Sequence, residues 1–157
     1  AAFCTLRICV DKCPDAEWNA KVCRYPFSQV VFHTLFFADY YLGESASEFR
    51  RQAFHGANAD FFGDYEQLED REPVSIYERA PILAYLQHCR DKATQAIAAA
   101  TDASLSAPSG FARRDFSRAE LHVYNIRHIQ HPSAQLILRL RLDVGADVPW
   151  VGSGWRA

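Results

Sequence analysis

The sequence predicts an all-α domain, a four-helix bundle with one long crossover loop. Three features carry that expectation. Four segments long enough for bundle helices repeat apolar residues at helical spacing. No segment shows a convincing strand alternation. A single irregular stretch, residues 45–73, separates the second long segment from the third. At 157 residues the chain reads as one domain, residues 1–157, with enough length for a proper core.

The first helix spans residues 1–13, with Phe3, Leu6, Val10 and Cys13 at helical spacing, and Pro14-Asp15 breaks it. Asp15 is placed to cap a short turn through Trp18, and residues 19–25 connect onward. Pro26 suits the first turn of the second helix, which runs from about Ser28 to Leu42 and stops at Gly43. Gln29, Val30, His33, Phe36, Phe37 and Tyr40 share one of its faces. Its aromatic residues (Phe32, Phe36, Phe37, Tyr40, Tyr41) exceed what one inward face requires, which points to a homodimer contact.

In the irregular stretch a short helix is expected over residues 47–54, followed by a loop packed by Phe61, Phe62 and Tyr65. Asp60, Asp64, Glu66, Glu69 and Asp70 do not follow a calcium-loop pattern and read as a solvated acidic loop. The third helix runs from near Glu78 to Ala100, with Pro81 in its first turn. Ile82, Leu83, Tyr85, Leu86, Cys89, Ala93, Ala96 and Ile97 form its apolar side, and His88 falls on the wet side. Residues 101–115 read as a linker, and residues 143–157 as a closing segment that Trp150 and Trp155 pin to the bundle.

The fourth helix, Ser117 to Leu142, has Ser117 at the N-cap and Glu120 at capping-box spacing. At 100° per residue, Leu121, Tyr124, Asn125, His128, His131, Pro132, Gln135 and Arg139 fall within about 60° of His128. Ile126, Ile129, Leu136, Ile137 and Leu140 form an adjacent apolar arc, and Arg127, Gln130, Ala134 and Arg141 a narrow wet side. Buried polar groups need partners, so the polar stripe is either a binding site or an internal hydrogen-bond network. Inward residues on facing helices build the ligand sites of bundles, and His33 and His128 are the natural pair. Imidazole suits zinc, nickel, iron or copper, but a transition metal wants three or more ligands.

A net charge of −2 and a pI near 6.3 give no electrostatic reason to expect nucleic acid or an anionic membrane surface as partner. No apolar run approaches the ~20 residues needed to cross a bilayer. Arg7, Asp11 and Lys12 interrupt the opening stretch, which does not read as a signal peptide. The five cysteines are odd in number and lack a CxxC pair, so they read as reduced thiols of a cytoplasmic protein. There is no internal repeat, glycine-rich phosphate loop or nucleophile elbow.

The segments VVFHTLFFADYYL, YLQHCRDKA, YNIRHIQHPSAQLILRLR and VPWVGSG, in that order along nearly the whole chain, resemble the DinB-like superfamily of bacterial four-helix bundles. The resemblance implies a divalent metal, zinc or nickel, at one end of the bundle. One histidine would come from the second helix and two from the fourth, in HxxxH spacing with a glutamine shortly after. Carried over by position, His33 and His128 match the first two ligands and Gln135 the glutamine. The third position holds Pro132, which offers no ligand. A proline inside a helix removes a hydrogen bond and costs ~3 kcal/mol or more, so a kink or bulge is expected beside His128.

Three arrangements follow. His131 swings in as the third metal ligand; or water, Tyr40 or Tyr124 fills the gap; or no metal is held and His33, His128, Gln135 and Tyr40 form a polar core. In function, the resemblance implies a metal-dependent hydrolase or a thiol-dependent transferase, with Tyr40, Tyr124, Gln135 and Arg139 contacting a small-molecule substrate or thiol. The alternative is a non-catalytic bundle with a degenerate metal site, serving small-molecule binding or dimerisation, and Pro132 favours it.

Overall fold

The four long helices form where apolar spacing predicts them, within a residue or two at each end except the last, whose α-helix stops at Arg139, three residues before the expected Leu142. The computed structural model describes residues 1–22, 24–112 and 114–155. Helix α1 (Ala2–Lys12) buries Cys4, Leu6, Cys9 and Val10. Behind Pro14, α2 (Asp15–Trp18) is a single turn whose indole Nε1 donates to the Tyr77 carbonyl at 2.8 Å. The expected connector contains a two-residue antiparallel ladder, β1 (Lys21–Val22) on β2 (Tyr25–Pro26), too short for any alternation to announce. Pro26 sits at the N-cap of α3 (Phe27–Leu42), one position before its first turn.

The crossover carries more helix than expected: α4 (Ala46–Phe49), α5 (Ala53–Ala57), α6 (Ala59–Phe62) and a 3₁₀ turn, Glu66–Leu68. Phe62 is buried, and Phe61 and Tyr65 pack on the core as expected. Helix α7 (Arg79–Ala98) has Pro81 in its first turn. The linker also departs from expectation, because Thr101 and Ser104 form a capping box that starts α8 (Asp102–Ser106). Gly110 then takes φ 83°, where a Cβ would collide with the Glu44 carbonyl oxygen, so only glycine lets the linker lie against the end of α3. Helix α9 (Arg118–Arg139) begins with the predicted box, Ser117 Oγ accepting from Glu120 N and Glu120 Oε2 from Ser117 N.

No break accompanies Pro132. Helix α9 remains α-helical from Arg118 to Arg139, and the departure comes later, as a π-helical turn over Leu140–Val144 that ends at Gly145 in the left-handed region. The buried line of α9 runs through Leu121, Asn125, Ile129, Pro132, Leu136 and Leu140. It lies roughly 80° round from His128. Ile126 therefore faces solvent rather than the core.

Helix α3 packs on α7 and α9, and α1 packs on the same two, closing the four long helices into a ring around one core. Phe32 at the centre of α3 stacks on Tyr77, ring centroids 3.9 Å apart, which draws the crossover exit onto the bundle. The aromatics of α3 are taken up within the chain: Phe32, Phe36 and Tyr41 are buried, and Phe37 and Tyr40 pack against Tyr41. That removes the ground for a dimer contact there. Ile97, expected on the apolar side of α7, is exposed near the helix end. Trp155 lies under the Arg90 guanidinium at 4.3 Å, but Trp150 is 88% exposed and pins nothing. Among the described residues no helix is long and apolar enough to cross a membrane.

A buried carboxylate ties the crossover to the bundle. Asp39 on α3 accepts from His55 Nε2 at 2.8 Å, from the Tyr85 hydroxyl at 2.9 Å and from Lys92 Nζ. Lys92 also donates to the Asp39 carbonyl and to Gln52 Oε1, both at 2.9 Å. Burial pushes the Asp39 carboxyl up, but His55, His88 and Lys92 together outweigh it and hold it well below the usual carboxylate range. His88 does not face water as expected; its ring stacks on Phe54 at 4.2 Å and its Nε2 lies 3.7 Å from Asp39 Oδ1. Cys4, Cys9, Cys13 and Cys89 are buried thiols rather than disulfides. Burial pushes Cys9 up to about 12 and Cys13 up to about 11, which makes both poor nucleophiles. Cys23 lies outside the described residues.

Candidate functional site

A cleft of about 360 Å³ opens where α3, the crossover and α9 meet. Helix α3 contributes His33 and Gln29, one helical turn apart on one face. The 3₁₀ turn contributes Gln67, and α9 contributes His131, Pro132 and Gln135. The crossover wall is held by Glu66, which the solvated-loop expectation misplaces. Glu66 is buried, accepts the backbone N–H groups of Val74 and Ser75 at 3.0 and 3.1 Å, and lies 3.7 Å from Arg71. Buried backbone donors need acceptors, and here one carboxylate serves two of them. Gln29 closes the same corner by donating to the Ser75 carbonyl at 2.7 Å.

His33 and His128 come together as the sequence predicts, ring centroids 5.6 Å apart. The Gln67 side-chain amide lies 2.8 Å from His33 Nδ1 and fixes the ring against the 3₁₀ turn. Burial lowers the His33 pKa, so the ring is neutral. His128, also half-buried, lies edge-on to Phe37, and its Nε2 is buried with no hydrogen-bond partner. Burial, then the neighbouring His33, lower its pKa to about 4.

That shift makes stability depend on pH. Between about 4 and the ordinary 6.5, the unfolded chain binds a proton at residue 128 that the folded chain does not. Stability is therefore full above 6.5 and falls as pH drops through that window, by on the order of 2–3 kcal/mol. Urea unfolding with chelator present should show this loss in the wild type and a flatter profile in His128→Leu. Equal pH slopes in both would contradict it.

The other predicted residues separate. His131 and Gln135 stand exposed at the cleft rim, His131 Nε2 lying 3.1 Å from Gln135 Nε2, so His131 does not swing toward His128. Tyr40, Tyr124 and Arg139, expected to contact a small molecule, do not line the cleft. Tyr124 and Tyr41 accept from Arg114 Nη2 at 3.0 and 3.1 Å, and Tyr40 packs on Phe111. Arg139 donates to the Tyr25 carbonyl at 3.2 Å with its guanidinium 5.5 Å from the Phe27 ring. Gln67, Glu66 and Arg71 were missed because they lie in a stretch without periodicity. Only Gln29, on the His33 face, carried a signal.

The donor set decides how well a metal fits. Two imidazoles sharing one ion at ~2.0–2.1 Å would have ring centres about 5–6.5 Å apart, and the His33–His128 separation of 5.6 Å agrees. The third donor is missing, because buried Pro132 stands one helical turn beyond His128. Among the described residues no three His, Cys, Asp or Glu side chains gather where they could hold an ion. The residues present supply two donors and do not complete a three-ligand centre.

No curated protein and no solved structure matches this chain. The family model of the DinB superfamily matches residues 5–136, a span that takes in His33, His128, Pro132 and Gln135. With most of its length matched, and with an all-α architecture that brings its second- and fourth-helix histidines together, the chain belongs to the DinB superfamily.

Proposed function

We propose that this chain is a small-molecule-binding member of its superfamily, in which the cleft over His33 takes a small uncharged ligand and no divalent ion is a resident cofactor. The observation that carries this reading is buried Pro132, which forms cleft wall where a third imidazole would be needed. The lining supports the ligand class. Val30, Pro73 and Pro132 offer apolar surface, while His33, Gln67 and Gln135 offer hydrogen bonds. Arg71, the lining cation, is engaged by Asp64 and by Glu69 at 2.6 Å, which leaves little to attract an anion. A cleft of about 360 Å³ lies at the small end of ligand sites.

The test is a titration of the chelator-treated protein with small amides, lactams and diols, followed through the histidine ring signals. The expected result is saturable shifts at His33 and His131, abolished by Val30→Trp, which fills the cleft. Rings unmoved by every compound, or shifts that survive Val30→Trp, would overturn the reading.

A second reading is favoured by the unpartnered Nε2 of His128 and by the nearness of the His33 ring. Under it, zinc or nickel is held weakly by two imidazoles, with solvent or a thiol at the remaining positions. The hydrolase or thiol-transferase chemistry that the resemblance implies belongs to that reading alone. It requires His33→Ala and His128→Ala to abolish metal binding equally.

A further inference from the structure

Between the 3₁₀ turn and α7, residues 73–78 run extended, and among the described residues no strand pairs with them. Burial there alternates with a period of two. Pro73 and Ser75 are half-buried and Tyr77 is buried, while Val74 and Ile76 are 71% and 65% exposed. Alternate carbonyls turn to the bundle: those of Pro73 and Ser75 accept from Gln29 at 3.3 and 2.7 Å, and that of Tyr77 accepts from Trp18. Ile76 lies between them, and among the described residues its backbone N–H and C=O have no partner. An open groove of about 820 Å³ runs beside this segment. Its crossover side is built from small residues, Gly56, Ala57, Ala59 and Gly63, which leaves room for another backbone. Its charged lining is Asp60 and Glu78, both exposed and neither in an ion pair among the described residues.

We propose that this edge and groove dock an extended, basic segment of another protein, which adds as a strand beside Ile76 and sets its lysines or arginines against Asp60 and Glu78. An extended segment with a free edge is a template for a second strand. The incoming backbone supplies the acceptor and donor that Ile76 lacks, and its apolar side chains pack beside the exposed Ile76 side chain. The acidic lining selects the partner. With two carboxylates and no lysine or arginine along the groove, a cationic segment is attracted and an acidic one repelled. One short strand holds weakly, with dissociation at about 10–100 μM. The groove shares no lining residue with the cleft over His33, so the two sites stand or fall separately.

The probe is a labelled peptide of alternating lysine and valine, about seven residues long, followed by fluorescence anisotropy as the intact protein is raised to about 500 μM. Saturable binding is expected, and a peptide of alternating glutamate and valine should not bind. Combining Asp60→Lys with Glu78→Lys should weaken the lysine peptide at least about tenfold, with circular dichroism unchanged because both side chains are exposed. Charge attraction alone would give those results, so strand addition has its own readout. The Ile76 amide, unpaired in the free protein, should exchange with solvent at least about tenfold more slowly when the lysine peptide is saturating. A lysine peptide that does not bind, a glutamate peptide that binds as well, binding untouched by the charge reversals, or unchanged Ile76 exchange would each overturn the proposal.

Discussion

Replacing Asp39 with leucine is expected to destabilise the domain by about 3–5 kcal/mol, because a buried ion pair is broken from one side. His55, Tyr85 and Lys92 would all lose their acceptor at once, and Lys92 would keep a charge that only the Gln52 and Asp39 carbonyl oxygens meet. The same contact fixes the acid response. The folded Asp39 carboxyl is held below its ordinary value of 3.8, so its stabilisation is fully present above that value. It is lost as pH falls below that value, when the unfolded chain takes up the proton first. Urea unfolding at neutral pH and near pH 3 checks both statements. Wild type and variant should differ most at neutral pH, and the difference should shrink by about 1 kcal/mol near pH 3. A difference under about 1 kcal/mol at neutral pH would mean the network adds little beyond exposed pairs.

Pro132→His is expected to turn the two-imidazole pair into a three-ligand metal site. Position 132 is one turn from His128 on the same helical face and lines the cleft with His33. Even a partner that merely orients a metal-bound histidine is worth about 10–100-fold in affinity, so a third direct ligand should raise zinc affinity by at least about 100-fold. Pro132→Ala separates ligand from backbone. It restores the missing helical hydrogen bond and should raise stability by about 1–3 kcal/mol without raising metal affinity. Calorimetric zinc titration of the three proteins gives the affinities, and thermal unfolding the stabilities. If Pro132→His binds no better than wild type, the third coordination position lies elsewhere.

The helix ends were readable because each rests on local chemistry. Ser117 and Glu120 cap α9, Gly43 stops α3, and Pro81 can occupy only a first turn. The crossover was not readable, since Glu66, Gln67 and His55 take their places from contacts to distant backbone and side chains. The inward face of α9 was misplaced because apolar residues lie nearly all round it. Val123, Ile126 and Leu138 face out while Asn125 and Ser133 are buried, with Asn125 donating to the Ala38 carbonyl at 2.9 Å. The nearness of His33 and His128 was legible from spacing and resemblance. That Tyr124 and Arg139 lie off the cleft was not, because sharing a helical sector says nothing about position along the axis. They are separated by roughly 22 Å of helix, more than one small ligand spans.

The most direct test of the proposed function is a calorimetric titration of the chelator-stripped wild type with zinc and with nickel, at about 10 μM protein, where only tight sites fill stoichiometrically. Two donors without a third should give no stoichiometric uptake of either ion. Uptake of one ion per chain, lost alike in His33→Ala and His128→Ala, would contradict the proposal and establish a metal centre assembled around Pro132.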